Sequence, residues 1–127
     1  IFAFLIITVL GYKLNGKMNL DEYQERAKRT DLNVISKENN LDYYALGLVS
    51  EAGEFAGRMK IIHRNKDGVL SEVDKQGLAG ELGDALWYIS ALADKLGFTL
   101  ADIAENNLRK LYMRKENHEL KVHGADK

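Results

Sequence analysis

The sequence predicts an all-α protein of about four helices. Three observations carry this reading. Proline is absent from the 127 residues, so only glycine interrupts a long helix. Apolar residues recur at three- and four-residue intervals along most of the chain, which is the helical period. From Leu20 onward the pattern is helical, without alternating strands of the two-residue period.

Each helix can be placed in order. Leu20-Asp21-Glu22-Tyr23-Gln24-Glu25-Arg26-Ala27 opens a short first helix that ends near Thr30, before a loop rich in Asn and Lys from Asn33 to Asn40. Leu41, Tyr44, Ala45, Leu48, Ala52, Phe55, Met59 and Ile62 then mark one face of a long second helix. Asn65-Lys66-Asp67-Gly68 supplies a turn. Ser71, with Asp74 three residues on, is the expected N-cap of the third helix, whose stripe is Leu78, Leu82, Ala85, Leu86, Ile89, Ala93 and Leu96. Gly97 ends it, and Thr99 with Asp102 starts a fourth helix that runs to about Lys115.

Composition bounds the function. The 46% apolar and 29% charged content is that of an ordinary globular domain. Without cysteine there is no disulfide scaffold, thiolate zinc site or thiol nucleophile, which fits a reducing cytoplasm. Lys and Arg total 18 against 19 Asp and Glu, a net charge of −1, so a general nucleic-acid binder is not expected. The apolar run Ile1 to Tyr12 falls short of the roughly 20 residues that cross a membrane, and it lacks the basic start of a signal peptide. Residues 1–17 are expected to lie outside the functional unit, with Met18 reading as a start. Residues 18–115 form the helical domain, and 116–127 form a polar tail. A unit of this size buries a modest core alone, so a homodimer is expected.

The informative feature is a near-repeat of acids. Glu51-Ala52-Gly53-Glu54 lies on the second helix and Glu81-Leu82-Gly83-Asp84 on the third. Each pair sits at i and i+3, adjacent on one helix face. An antiparallel hairpin about Asp67-Gly68 would bring both pairs together. Glu54 has Arg58 at i+4 as a possible partner, while Glu51, Glu81 and Asp84 have no Lys or Arg at i±3 or i±4. Converging carboxylates repel one another unless they protonate or a cation arrives, and hard oxygen ligands suit Mg²⁺ or Mn²⁺. Gly47, Gly53, Gly57, Gly80 and Gly83 lie in the same two helices, which suggests close helix–helix approach beside the acids.

The fourth helix carries Asn107, Lys110 and Arg114 within or beside its apolar stripe of Leu100, Ile103, Ala104, Leu108 and Leu111. These polar groups suit a phosphate chain held by metals from the other side, or the two cations simply reach to solvent. Trp87 and Tyr88 are candidates to flank a base or to pack in the core, and Lys60 is a further phosphate candidate. A ferritin-like di-iron site is not expected, because no histidine follows a Glu by three residues.

Glu51-x-x-Glu54, Glu81-x-x-Asp84 and Asn107-x-x-Lys110-x-x-x-Arg114, in that order, resemble the MazG-like branch of the all-α nucleoside triphosphate pyrophosphohydrolases. Tyr23-Gln24 with Ala27 and Thr30, and Leu82-Gly83-Asp84-Ala85-Leu86-Trp87-Tyr88, are also similar to that family, so the likeness spans Met18 to Arg114. It implies a four- to five-helix bundle, assembled as a homodimer or dimer of dimers. The implied reaction is Mg²⁺-dependent hydrolysis of nucleoside or deoxynucleoside triphosphates to the monophosphate and pyrophosphate. Glu51, Glu54, Glu81 and Asp84 match the family's metal-binding acids, and Asn107, Lys110 and Arg114 its substrate-side motif. Glu51 or Glu54 is the candidate base. Many members carry two consecutive acids where this chain has Ser50-Glu51. Hydrolysis of a phosphoribosyl-linked nucleotide, or a non-catalytic metal- or nucleotide-binding dimerisation module, are the other readings.

Overall fold

The computed structural model describes residues 17–32 and 41–117. Expectations placed on the apolar residues 1–16, on the loop 33–40 and on the tail from 118 lie outside the described residues. Four helices follow one another without a strand among the described residues: α1 (Leu20–Lys28), α2 (Leu41–Lys66), α3 (Glu72–Leu96) and α4 (Leu100–Glu116). Each boundary lies within a few residues of its sequence signal.

Their caps explain why. Asn19 accepts a hydrogen bond from the Glu22 amide at 2.8 Å and so begins α1. Ser71 and Asp74 form a reciprocal capping box at the start of α3, with the Asp74 amide donating to Ser71 Oγ and the Ser71 amide to Asp74 Oδ2. Gly97 ends α3 in the left-handed region at φ 79°, where a side chain would be strained. Two residues later, Thr99 Oγ1 accepts from the Asp102 amide at 3.0 Å and begins α4.

Packing is organised by the α2–α3 hairpin. Lys66 pairs with Asp74, Arg58 with Glu81, and the Tyr44 ring lies beside Trp87 and Tyr88. The partner numbers rise on one helix as they fall on the other, so the helices are antiparallel. At the open end of the hairpin, α1 lies along α3. Lys28 Nζ reaches Asp94 at 3.0 Å, and Trp87 Nε1 donates to Thr30 Oγ1 at 2.7 Å. The buried Gln24 side chain ties α1 to the α3–α4 turn, donating to the Phe98 carbonyl and accepting from the Leu100 amide. Both backbone groups are satisfied by one side chain, which fixes where α4 departs. α4 contacts α1 and α3 but not α2.

The core is thin. Ala27, Tyr44, Ile62, Leu78, Ala93 and Leu100 are its buried apolar members. Several positions on the expected stripes are exposed, among them Leu82, Leu96 and Leu108, as are Leu46 and Val49 on α2. The period correctly marked helices, but one chain alone does not bury every apolar face that the period predicts. The glycines differ from expectation in the same way. Gly47 does permit close approach, since a Cβ there would fall inside the Tyr88 ring. Gly53, Gly57, Gly80 and Gly83 have nothing within 4 Å of where a Cβ would stand, so contact between these helices does not require them.

Asp74 also clamps the closed end of the hairpin. Lys66 Nζ donates to both of its oxygens, at 2.9 and 2.7 Å. Lys66 first, and Ser71 after it, hold the Asp74 carboxyl well below the usual carboxylate range. A folded-state pKa below the unfolded one means this stabilisation is present above the ordinary aspartate pKa of about 3.9 and is lost as pH falls towards the lower folded value. Asp74→Asn is therefore expected to flatten the fall in melting temperature below about pH 4. A melting series showing the same acid dependence in both proteins would refute this clamp.

Candidate metal centre

Three carboxylates meet midway along the hairpin. Glu51 comes from α2, and Glu81 and Asp84 from successive turns of α3. One oxygen of each lies within 4.8 Å of the others. The i, i+3 spacing puts Glu81 and Asp84 on the same face of α3, and the antiparallel register brings Glu51 opposite.

Their environments differ. Glu81 is buried, and its side chain is only 7% exposed. Its Oε1 accepts from Arg58 Nε at 2.5 Å, a charge-assisted bond across the two helices. The i+4 spacing makes Glu54 a possible partner of Arg58 within α2. The structure instead sends the guanidinium across to α3, where a buried carboxylate without a cation would be strongly disfavoured. Glu51 is half-buried. Burial, and after it the charges of Glu54, Asp84 and Glu81, push its carboxyl up from its ordinary pKa. Repulsion thus persists at the Glu51 end despite Arg58.

Glu54 lies outside the group of three, and it is exposed. It is nonetheless near enough to act on Glu51 as the largest of its charged neighbours. The four expected acids thus divide into a tight trio and one rim member.

Two phenols border the cluster. Burial and the charge of Asp84 raise the pKa of Tyr23 on α1. Burial raises that of Tyr88 first, with Tyr43, Glu51 and Asp84 adding to it. Tyr88 therefore stands beside the acids. Trp87 faces the other way, stacking at 6.0 Å and 28° on Tyr44 and donating its indole N–H to Thr30.

The substrate-side residues stand apart. Asn107 and Lys110 line an open groove with Phe98, Ile103 and Asn106, while Arg114 is exposed farther along α4. Lys60 is exposed on α2. Because α4 does not contact α2, the structure of one chain does not bring these α4 groups against Glu51. Sequence reasoning missed the roles of Arg58 and Tyr23 at the site. Arg58 was visible only as an i+4 neighbour of Glu54, and nothing local marked Tyr23, on a different helix, as near enough to feel the charge of Asp84.

The donor set fits a hard divalent cation. Three carboxylates from two helices lie within reach of one ion, and Arg58 bonds to Glu81. Among the described residues, no helix is long and apolar enough to cross a membrane.

The family model of the MazG nucleotide pyrophosphohydrolase domain matches residues 39–118, which include every acid of the cluster and the α4 motif. The chain is also 39% identical over 103 residues to the Gene 37 protein of Mycobacterium phage L5, covering 78% of this chain and 90% of the phage protein. No solved structure matches it significantly.

Proposed function

Since the chain belongs to the MazG nucleotide pyrophosphohydrolase family, we propose that it hydrolyses nucleoside or deoxynucleoside triphosphates to the monophosphate and pyrophosphate with Mg²⁺ or Mn²⁺. The observation that carries this reading is the convergence of Glu51, Glu81 and Asp84 within 4.8 Å. These three residues would hold the metal, and Glu54 would complete the set from the rim. When bound, the cation neutralises phosphate charge and lowers the pKa of a coordinated water.

The chain's own groups divide the remaining work. Glu51 and Glu54 would orient the water or take its proton, since among the described residues neither is held in an ion pair and Glu54 is near enough to act on Glu51. Asn107, Lys110, Arg114 and Lys60 would bind the phosphate chain or the developing charge on the leaving group. Of the expected aromatic pair, Tyr88 stands beside the acids and Trp87 packs on Tyr44, so the two would limit the space open to a base.

Assembly belongs to the same reading. The exposed Leu46, Val49 and Leu82, together with the uncovered small residues of the hairpin, are what a homodimer or dimer of dimers would cover. The protein would act in the cytoplasm, on free nucleotides and not on nucleic acid.

A product assay over the common nucleoside and deoxynucleoside triphosphates with Mg²⁺ tests the proposal. Pyrophosphate and the monophosphate are expected from at least one of them. Orthophosphate in place of pyrophosphate, or no product from any triphosphate, would overturn it.

A further inference from the structure

We propose that Arg58 is a resident counter-cation of the carboxylate cluster, held on Glu81 while no divalent ion is bound and released to the substrate's phosphates when one is. This rests on the functional reading above and adds the regulation of its metal site.

The geometry is that of a built seat. Arg58 extends from α2 to α3, and its Nε bonds to Glu81 Oε1 at 2.5 Å. One turn before Glu81, Gly77 leaves the guanidinium its room, since a Cβ there would stand 2.8 Å from Arg58 Nη1. Glu81 is buried, yet the Arg58 side chain is 53% exposed. With Nε engaged and Nη1 lying over Gly77, about half of the side chain is still reached by water.

Glu81 cannot serve two cations equally. It belongs to the trio within 4.8 Å, so the arginine and a divalent ion draw on the same carboxylate. With an ion among the three acids, Glu81 would be neutralised and the neighbouring guanidinium repelled, and both effects would weaken the Arg58 bond. The four-bond stem then lets the planar fork turn towards solvent. A triphosphate arriving on the metal presents oxygens that an arginine fork matches in pairs. Buried Glu81 is thus never left without a positive charge, and the displaced guanidinium becomes available to phosphate.

Arg58→Gln removes the charge and keeps a planar polar group. Calorimetry with Mn²⁺ alone should show the variant binding the ion severalfold more tightly than wild type. Calorimetry with inorganic tripolyphosphate on the Mn²⁺-loaded protein should show a loss of affinity of about tenfold or more, the scale of one charge-assisted hydrogen bond. Arg58→Lys keeps the charge without the fork. It is expected to bind Mn²⁺ as wild type does and tripolyphosphate more weakly, and it carries the test if Arg58→Gln does not fold. Weaker Mn²⁺ binding in Arg58→Gln would show that Arg58 merely orients Glu81, and unchanged tripolyphosphate affinity in both variants would refute its release to phosphate. Either result with normal Mn²⁺ binding by wild type overturns this proposal alone. A wild type that binds no Mn²⁺ overturns the metal site and this proposal together.

Discussion

Glu51→Gln is expected to abolish turnover while making the metal-free protein more stable. Both effects follow from its place in the trio. The amide keeps the shape of the side chain but removes a hard anionic ligand and a candidate base. Loss of a general base alone forfeits about 10²–10⁴-fold in rate, and loss of metal would add to it. The stability change has the opposite sign. Burial and the neighbouring acids raise the folded-state pKa of Glu51, so the folded protein holds its proton more tightly than the unfolded chain does. Stability therefore falls as pH rises through the window between the ordinary glutamate pKa, about 4.3, and the raised folded value, and the deficit persists at neutral pH. The amide has no charge to repel, so its metal-free melting temperature should exceed that of wild type at neutral pH. Saturating Mg²⁺ should narrow that gap by stabilising wild type more. Glu54→Gln, on the exposed rim, is expected to lose turnover with little change in melting temperature. Steady-state rates and melts with and without Mg²⁺ decide both points. Wild-type turnover in Glu51→Gln would remove the residue from the site.

Tyr44→Ala is expected to cost about 3–5 kcal/mol, the scale seen for truncating a buried aromatic. That is a large share of the 5–15 kcal/mol typical of a whole domain. Tyr44 is 2% exposed and is the largest side chain so deeply buried among the described residues. Its ring contacts Trp87 and Tyr88 of α3, and Lys95 Nζ lies 4.3 Å from its centroid. Its hydroxyl donates to Asp31 just beyond α1 at 2.6 Å. One side chain therefore ties α2 to α3 and to the segment after α1. Burial and the Asp31 bond together raise the phenol well above its ordinary pKa. Tyr44→Phe separates the two contributions, because it keeps the ring and loses only the hydrogen bond. It should cost about 0.5–1.5 kcal/mol, or somewhat more if the Asp31 carboxylate finds no other donor. Urea unfolding of the three proteins measures this, and a Tyr44→Ala midpoint equal to wild type would show that the aromatic cluster does not hold the helices together.

These two residues show different degrees of legibility in the sequence. Helix limits were legible because their causes are local. Ser71 with Asp74, Gly97, and Thr99 with Asp102 each act over three or four residues, and each cap forms as its spacing predicts. The pairing of Glu81 with Asp84 was legible for the same reason, and the turn at Asp67-Gly68 brought Glu51 opposite them. The partner of Arg58 was not legible, because helical spacing ranks only neighbours on one helix. Its choice of Glu81 over Glu54 depends on which carboxylate is buried, a property of the folded hairpin.

By itself, the sequence determined that the described part of this protein is helical, where its helices begin and end to within a few residues, and which acids share a helix face. Those are matters of backbone propensity, capping and a period of 3.6 residues. Only the tertiary structure decided that Glu51, Glu81 and Asp84 form the trio while Glu54 stays on the rim. It also decided that Gly47 is the helical glycine with a ring against it among the described residues, and that four other helical glycines face open space. Interhelical register and burial decide those questions, because an ion pair or a packed ring depends on distances across the hairpin that no local spacing encodes.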